Sequence, residues 1–411
     1  MTGPVEAGPA SARGPASLEE LIRTQRVLIC CGSGGVGKTT TSAALALQAA
    51  LLGRRAVVCT IDPARRLAAS LGLPELGNEV VQVAPERFKA AGIQPPGAGA
   101  LHALMLDTKR TFDRLIERYA RDPQRREKIL GNKFYQQMSS TVVGSSDYMA
   151  MEKLYELHEP GEYDLIVLDT PPTKHALDFL QAPERMTRAF DQSTLEVFLK
   201  PWAEAGMKSL GFIGRALGKV VQKVDSVIGL SFVEDLAEFF RAFEGMYEGF
   251  RTRAQHVNAL LREPFTSFVV VTSPQPLPLQ EAGFFCDRLR ELELGLHGVV
   301  VNRVHPSCLS DPRPLMERVA REGRDPLLQA ALAAARADGA DPGAASLLEP
   351  ALRAFLDQEL LAEGDRERIE AFVHGPARGV LVQRVPAFAR DVYDLSGLHA
   401  VGQRLLAGGG P

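Results

Sequence analysis

Gly32-Ser33-Gly34-Gly35-Val36-Gly37-Lys38-Thr39, placed directly after the apolar run Val27 to Cys31, is the stretch that decides the fold. A short buried strand ending in a glycine-rich turn before a helix gathers backbone N–H groups at one point, at the positive helix terminus. Such a turn suits a compact polyanion, because glycines let the backbone come close. The pattern places Gly34, Gly35, Val36 and Gly37 around the phosphates of ATP, with Lys38 reaching the outer ones. Thr39 then offers a hydroxyl to Mg2+, and Thr40 binds the inner phosphates.

A competing pattern hides in the same residues. Gly32, Gly34 and Gly37 also satisfy G-x-G-x-x-G, and Asp62 ends the next strand, where a dinucleotide fold places its ribose ligand. That reading leaves Lys38-Thr39-Thr40 unexplained. It also ignores the apolar run Leu165 to Leu168, whose terminal Asp169 has the form of a carboxylate that holds magnesium through water. Asp62, in Thr60-Ile61-Asp62-Pro63-Ala64, lies at the carboxyl end of a buried strand, where it can orient an attacking water. A plain turn-forming role is the alternative for both aspartates, since prolines follow each. Arg65 and Arg66 receive no role, because arginines at a helix start are as readily solvated.

Outward from this centre, Ser17-Leu18-Glu19-Glu20 has capping-box spacing and predicts a short helix from Leu18. Further short, Val-rich runs at Ala56 to Ile61, Phe268 to Val271, Val299 to Val301 and Val380 to Val385 show little polar alternation, as in strands buried on both faces. Helical stretches at Lys38 to Leu52 and Leu279 to Leu294 separate them. The expected fold is α/β: one doubly wound, mostly parallel sheet with helical insertions. Its expected parts are a disordered tail at 1–16, the ATPase core at 17–184, 264–310 and 376–411, and helical segments at 185–263 and 311–375. The first helical segment is disproportionately aromatic. Phe232, Leu236, Phe239, Phe240, Phe243, Tyr247 and Phe250 recur at spacings of three and four along one helix face. That face is either packed within its own subdomain or open to a hydrophobic client or partner helix. The second segment, with a break expected at Asp338 to Pro342, reads as surface helices.

Bulk properties narrow the partners. A net charge of -3 across 411 residues gives no basic field for nucleic acid. No apolar run approaches the roughly 18 to 20 residues that span a bilayer, so a cytoplasmic protein with at most peripheral membrane association is expected. The tail lacks a charged and apolar signal-peptide pattern. Five cysteines, none in a C-x-x-C pair, argue against disulfides and structural zinc.

These motifs together resemble the ArsA and Get-type branch of deviant P-loop ATPases, which includes the arsenite-pump ATPase and the targeting factor for tail-anchored membrane proteins. The likeness rests on Gly32 to Thr41, on Thr60 to Ala64, on Asp169-Thr170-Pro171-Pro172-Thr173-Lys174-His175-Ala176-Leu177, and on Val301-Asn302-Arg303. It implies that Asp62 positions the hydrolytic water, that Asp169 to His175 form a switch, and that Asn302 contacts adenine. It further implies that Val385-Pro386-Ala387-Phe388 lines the base pocket, and that Gly144 to Glu152 couples nucleotide state to the helical region. A homodimer, or a heterodimer with a related ATPase, is the implied assembly.

Three departures qualify the resemblance. Ser33 stands where the family carries a lysine that reaches the partner's nucleotide. The intersubunit zinc pair is missing. The chain also has one phosphate loop and scattered thiols, which suits arsenite, a ligand of converging thiolates, poorly.

Overall fold

The computed structural model describes residues 16–61, 66–120, 122–133, 135–136, 139, 145–171, 239, 246–337 and 342–407. Eight strands form one sheet: β1 (Val27–Cys31), β2 (Arg55–Thr60), β3 (Val81–Gln82), β4 (Ala100–Met105), β5 (Leu165–Asp169), β6 (Thr266–Thr272), β7 (Leu296–Val304) and β8 (Leu381–Pro386). Their order is β3-β4-β2-β5-β1-β6-β7-β8. Every neighbouring pair is parallel except β3 with β4. Parallel strands need crossover connections, and these put helices on both faces.

Alternation along the central strands shows the two buried faces directly. Val27, Ile29 and Cys31 of β1 point into one core, together with Ile166 and Leu168 of β5. Leu28 and Cys30 point into the other, with Leu165 and Val167. The second core is closed by α1 (Leu18–Thr24), α2 (Lys38–Leu51) and the last helix, residues 395–406. Alanines at 43, 44, 46, 49 and 50 give α2 a smooth surface that seats it deeply against the sheet. The first core is closed by α3 (Thr108–Tyr119), α4 (Ser145–His158), α5 (Tyr247–Arg262) and α6 (Pro276–Glu291).

The expected helix start is found. Ser17 Oγ accepts the Glu20 N–H at 3.1 Å, and the Glu20 carboxylate accepts the Ala16 N–H at 2.7 Å. Two strands are additions to the sequence reading. In β4 the run Ala-Leu-His-Ala-Leu-Met is short of β-branched residues, and β3 is only two residues long. The connection from β7 to β8 contains α7 (Arg324–Ala337) and α8 (Pro342–His374), and α9 (Leu395–Leu406) follows β8. Helix α8 is more than a surface element: Ile369 and Phe372 enter the main core, while Leu356 joins Leu328 and Leu332 in a small separate cluster. Of the expected break at Asp338 to Pro342, residues 338–341 lie outside the described residues and Pro342 begins α8.

Of the aromatic stripe, Phe239 has a described side chain. It is fully buried and stacks on Tyr135 with ring centroids 6.0 Å apart, so this member serves as core. Phe232, Leu236, Phe240 and Phe243, and the side chains of Tyr247 and Phe250, lie outside the described residues. No helix among those described is long and apolar enough to cross a membrane.

Candidate active site

In an open parallel sheet, ligands gather where the carboxyl ends of the strands converge. Here β1 lies between β5 and β6, and β5 lies between β1 and β2. Register aligns Asp169 with Cys30 on one side and with Thr60 on the other. The glycine loop, Thr60 and Asp169 therefore meet at one edge although they are far apart in sequence.

The loop has the backbone its glycines predict. Gly32, Gly35 and Gly37 hold positive φ angles of 147°, 78° and 96°. At Gly37 a Cβ would stand 2.3 Å from the Asn302 amide nitrogen, and at Gly32 it would stand 2.0 Å from the Val271 carbonyl oxygen. Gly32 has no room for a side chain, and one at Gly37 would have to displace Asn302. Gly34 and Gly35 form the exposed tip, while Val36 is buried beneath it. Helix α2 starts on Gly37 without a side-chain cap and has no acidic residue in its first turn, so its positive end is available to an anion.

Lys38 is buried and its Nζ donates to the carbonyls of Gly32, at 2.9 Å, and Ser33, at 2.8 Å. The ammonium is thus folded over the loop it serves. Thr39 Oγ1 donates to Asp169 Oδ2 at 2.6 Å, and Thr60 Oγ1 donates to the same oxygen at 2.8 Å. Asp169 is fully buried. A hydroxyl and a carboxylate held side by side are the hard oxygen donors that Mg2+ prefers, so the residues fit that ion. Thr40 is half-buried on the next position of the helix.

Asn302 ties the end of β7 to the loop. Its Nδ2 donates to the Val36 carbonyl at 2.9 Å, and its Oδ1 accepts the Arg303 N–H at 2.9 Å. Arg303 is left-handed, with φ 60°. Pro386 pairs with Val304 across β7 and β8, and the Ala387 N–H donates to the Val304 carbonyl at 2.8 Å. The sequence-selected Asn302 and Pro386 are therefore at the ends of neighbouring strands. Asp62 lies outside the described residues, as do Pro172 to His175; β2 ends at Thr60, two positions before Asp62.

Two features escaped the sequence reading. Thr60 shares the Asp169 oxygen, and its only signal in sequence is a hydroxyl at the end of a buried strand. Ser33 is 7% exposed with a buried hydroxyl that has no hydrogen-bond partner, so the position expected to face a second subunit is packed into its own loop.

Burial pushes the thiols of Cys30 and Cys59, which flank this edge, up to about 12. They stay protonated and serve as small apolar groups.

A sequence profile of the anion-transporting ATPases matches residues 25–322. The chain belongs to this family. Similar proteins include the ATPase GET3 of Malassezia globosa, 27% identical over 295 residues that cover 71% of this chain and 76% of that protein. The ATPase get3 of Schizosaccharomyces pombe is 26% identical, over 71% of this chain and 77% of its own length. A putative arsenical pump-driving ATPase of Aquifex aeolicus is 26% identical over 68% of this chain and 64% of its own. As a member of the anion-transporting ATPase family, the chain is an ATPase with the α/β fold of P-loop enzymes. The family match ends at Glu322, before α7, α8 and β8.

Proposed function

We propose that the chain is a Mg2+-dependent ATPase of the ArsA and Get type, in which the nucleotide switches a dimer between conformations that bind and release a hydrophobic protein client. The observation that carries the catalytic half is the meeting of Thr39 and Thr60 on one oxygen of Asp169, next to Lys38 in a glycine loop whose first residue, Gly32, leaves no room for a side chain.

In this reading Lys38 exchanges its two loop carbonyls for phosphate oxygens. The backbone N–H groups of residues 34–40 surround the phosphates, and Thr39 with Asp169 holds the metal, whose charge offsets that developing on the transferred phosphoryl group. Asp62 orients the attacking water. A switch needs the nucleotide to favour one conformation by differential contact, and Asp169 to His175 begins on the magnesium-side carboxylate. Asn302 and Pro386 take the base. The relatives named GET3 favour a protein-handling role over a metalloid one. So do the cysteines, since burial keeps the thiols of Cys30 and Cys59 protonated and metalloids are ligands of thiolates. A cytoplasmic location accords with both.

Asp62→Asn tests the catalytic half: phosphate release stops while ATP binding is retained, and undiminished turnover removes Asp62 from this role. Hydrogen exchange of residues 232–250 with ADP and with a non-hydrolysable ATP analogue tests the switch, which requires the two nucleotides to give different protection. Arsenite leaves turnover unchanged; stimulation by arsenite would assign the chain to a pump instead. Ser33 favours a second reading, a slowly hydrolysing scaffold, for which Ser33→Lys raises the low basal rate.

A further inference from the structure

Helix α8 lies beyond the span that the family profile matches, yet it grips the chain just after Asn302. Two of its carboxylates are buried, Glu359 fully and Asp365 nearly so. Glu359 accepts the Cys308 N–H and the Ser307 hydroxyl, both at 2.6 Å. Asp365 Oδ2 accepts the His305 N–H at 2.9 Å and lies 2.7 Å from His305 Nδ1. Its other oxygen accepts from Arg368 at 2.7 Å, and Arg368 Nε donates to the Pro274 carbonyl at 2.7 Å. One helix thus fastens both the turn after β6 and the loop after β7.

Burying two carboxylates is costly unless their hydrogen bonds are complete. A helix needed only to cover the sheet would place apolar residues at these positions, as α8 does at Ile369 and Phe372. Charge-assisted bonds to backbone N–H groups are, by contrast, strong and directional. The segment they fix starts two residues after Arg303, a non-glycine residue held at φ 60°, a conformation that persists where the surroundings determine it. Arg303 in turn donates to Asn302, and Asn302 donates to the phosphate loop at Val36. A continuous chain of bonds joins α8 to the phosphate loop through the residue assigned to the base.

We propose that Asp365, Arg368 and Glu359 are positioning residues for base recognition: they fix residues 302–308 so that Asn302 presents its amide to the nucleotide base. The inference rests on the assignment of Asn302 to the base made above. It extends the nucleotide site into a helix that the family match does not include.

Calorimetric titration of the full chain with ADP and with inorganic tripolyphosphate separates the base from the phosphates. In Asp365→Ala the Kd for ADP rises roughly tenfold, the value of about one hydrogen bond to a charged group. Tripolyphosphate affinity is unchanged, and amide exchange of residues 302–308 quickens. Asp365→Asn and Glu359→Gln keep shape and an acceptor and lose less, and they carry the comparison if the alanine variant fails to fold. Asn302→Ala is run alongside. If it weakens ADP binding while the α8 variants do not, the clamp is overturned and the base assignment stands. Equal loss for ADP and tripolyphosphate shows general damage and also overturns the clamp. If Asn302→Ala leaves ADP binding intact, the base assignment fails and the proposal with it.

Discussion

Thr39 and Asp169, 130 residues apart in the chain, are joined by a 2.6 Å hydrogen bond at the carboxyl edge of the sheet. Asp169→Asn keeps the size of the side chain but removes the charge that a divalent cation needs. Turnover is expected to fall at least about a hundredfold, on the scale of losing one electrostatic stabiliser. Phosphate release should show this, while nucleotide binding in EDTA stays near the wild-type value. EDTA should itself silence the wild-type enzyme.

Gly37→Ala meets two obstacles at once. The residue sits at φ 96°, and its new methyl would lie 2.3 Å from the Asn302 amide. Backbone strain alone costs about 1–3 kcal/mol. Because the methyl also pushes Asn302 off the Val36 carbonyl, a lower melting temperature should accompany weakened ADP binding. Gly53→Ala, at a positive φ with nothing near its Cβ, should show the strain alone.

Arg253 of α5 and Glu152 of α4 form an ion pair that is 5% and 2% exposed. The guanidinium also lies over the Tyr155 ring, 4.3 Å from its centroid. Removing one partner strands the other charge, so Arg253→Met is expected to destabilise the protein by about 3–5 kcal/mol in urea unfolding. Replacing both residues by Met should cost much less, because no charge then remains buried. Should the two variants prove equally unstable, the pair would be a matter of packing rather than charge.

Four of the five cysteines are buried and Cys308 is exposed. Burial raises the thiols of Cys30, Cys59 and Cys286 to about 12, so they are protonated at neutral pH, and only thiolates react readily. A short exposure to a maleimide should add one label, at Cys308, by mass spectrometry, with the other four reacting only after denaturation. Labelling at Cys31 or Cys59 in the folded protein would contradict this core.

Much of the site was legible because its chemistry is local. Residues 27–40 state a strand, a turn and a helix start in order, and Asp169 stands out at the end of a wholly apolar run. What was hidden depends on topology. Thr60 matters because β2 lies beside β5, and no local pattern in the sequence announces that neighbour. Strand β4 was missed because Leu101, Ala103 and Leu104 have no strong strand preference and His102 interrupts the apolar run. The buried Glu359 and Asp365 look, in sequence, like the solvated face of a charged helix. Only their partners at 305–308, some fifty to sixty residues earlier, distinguish them.

The return of the chain through α8 to β8 has a practical consequence. A chain cut at Glu322, where the family match ends, would leave the nine residues of β7 as a bare sheet margin with Val299, Val300 and Val301 at its centre. Such margins recruit other chains. The cut would also take away α9, which packs on α2, and with it the seat of Gln48 beside His399. The stretch that the family profile matches is therefore smaller than the portion that must fold, and a chain ending at Glu322 should precipitate.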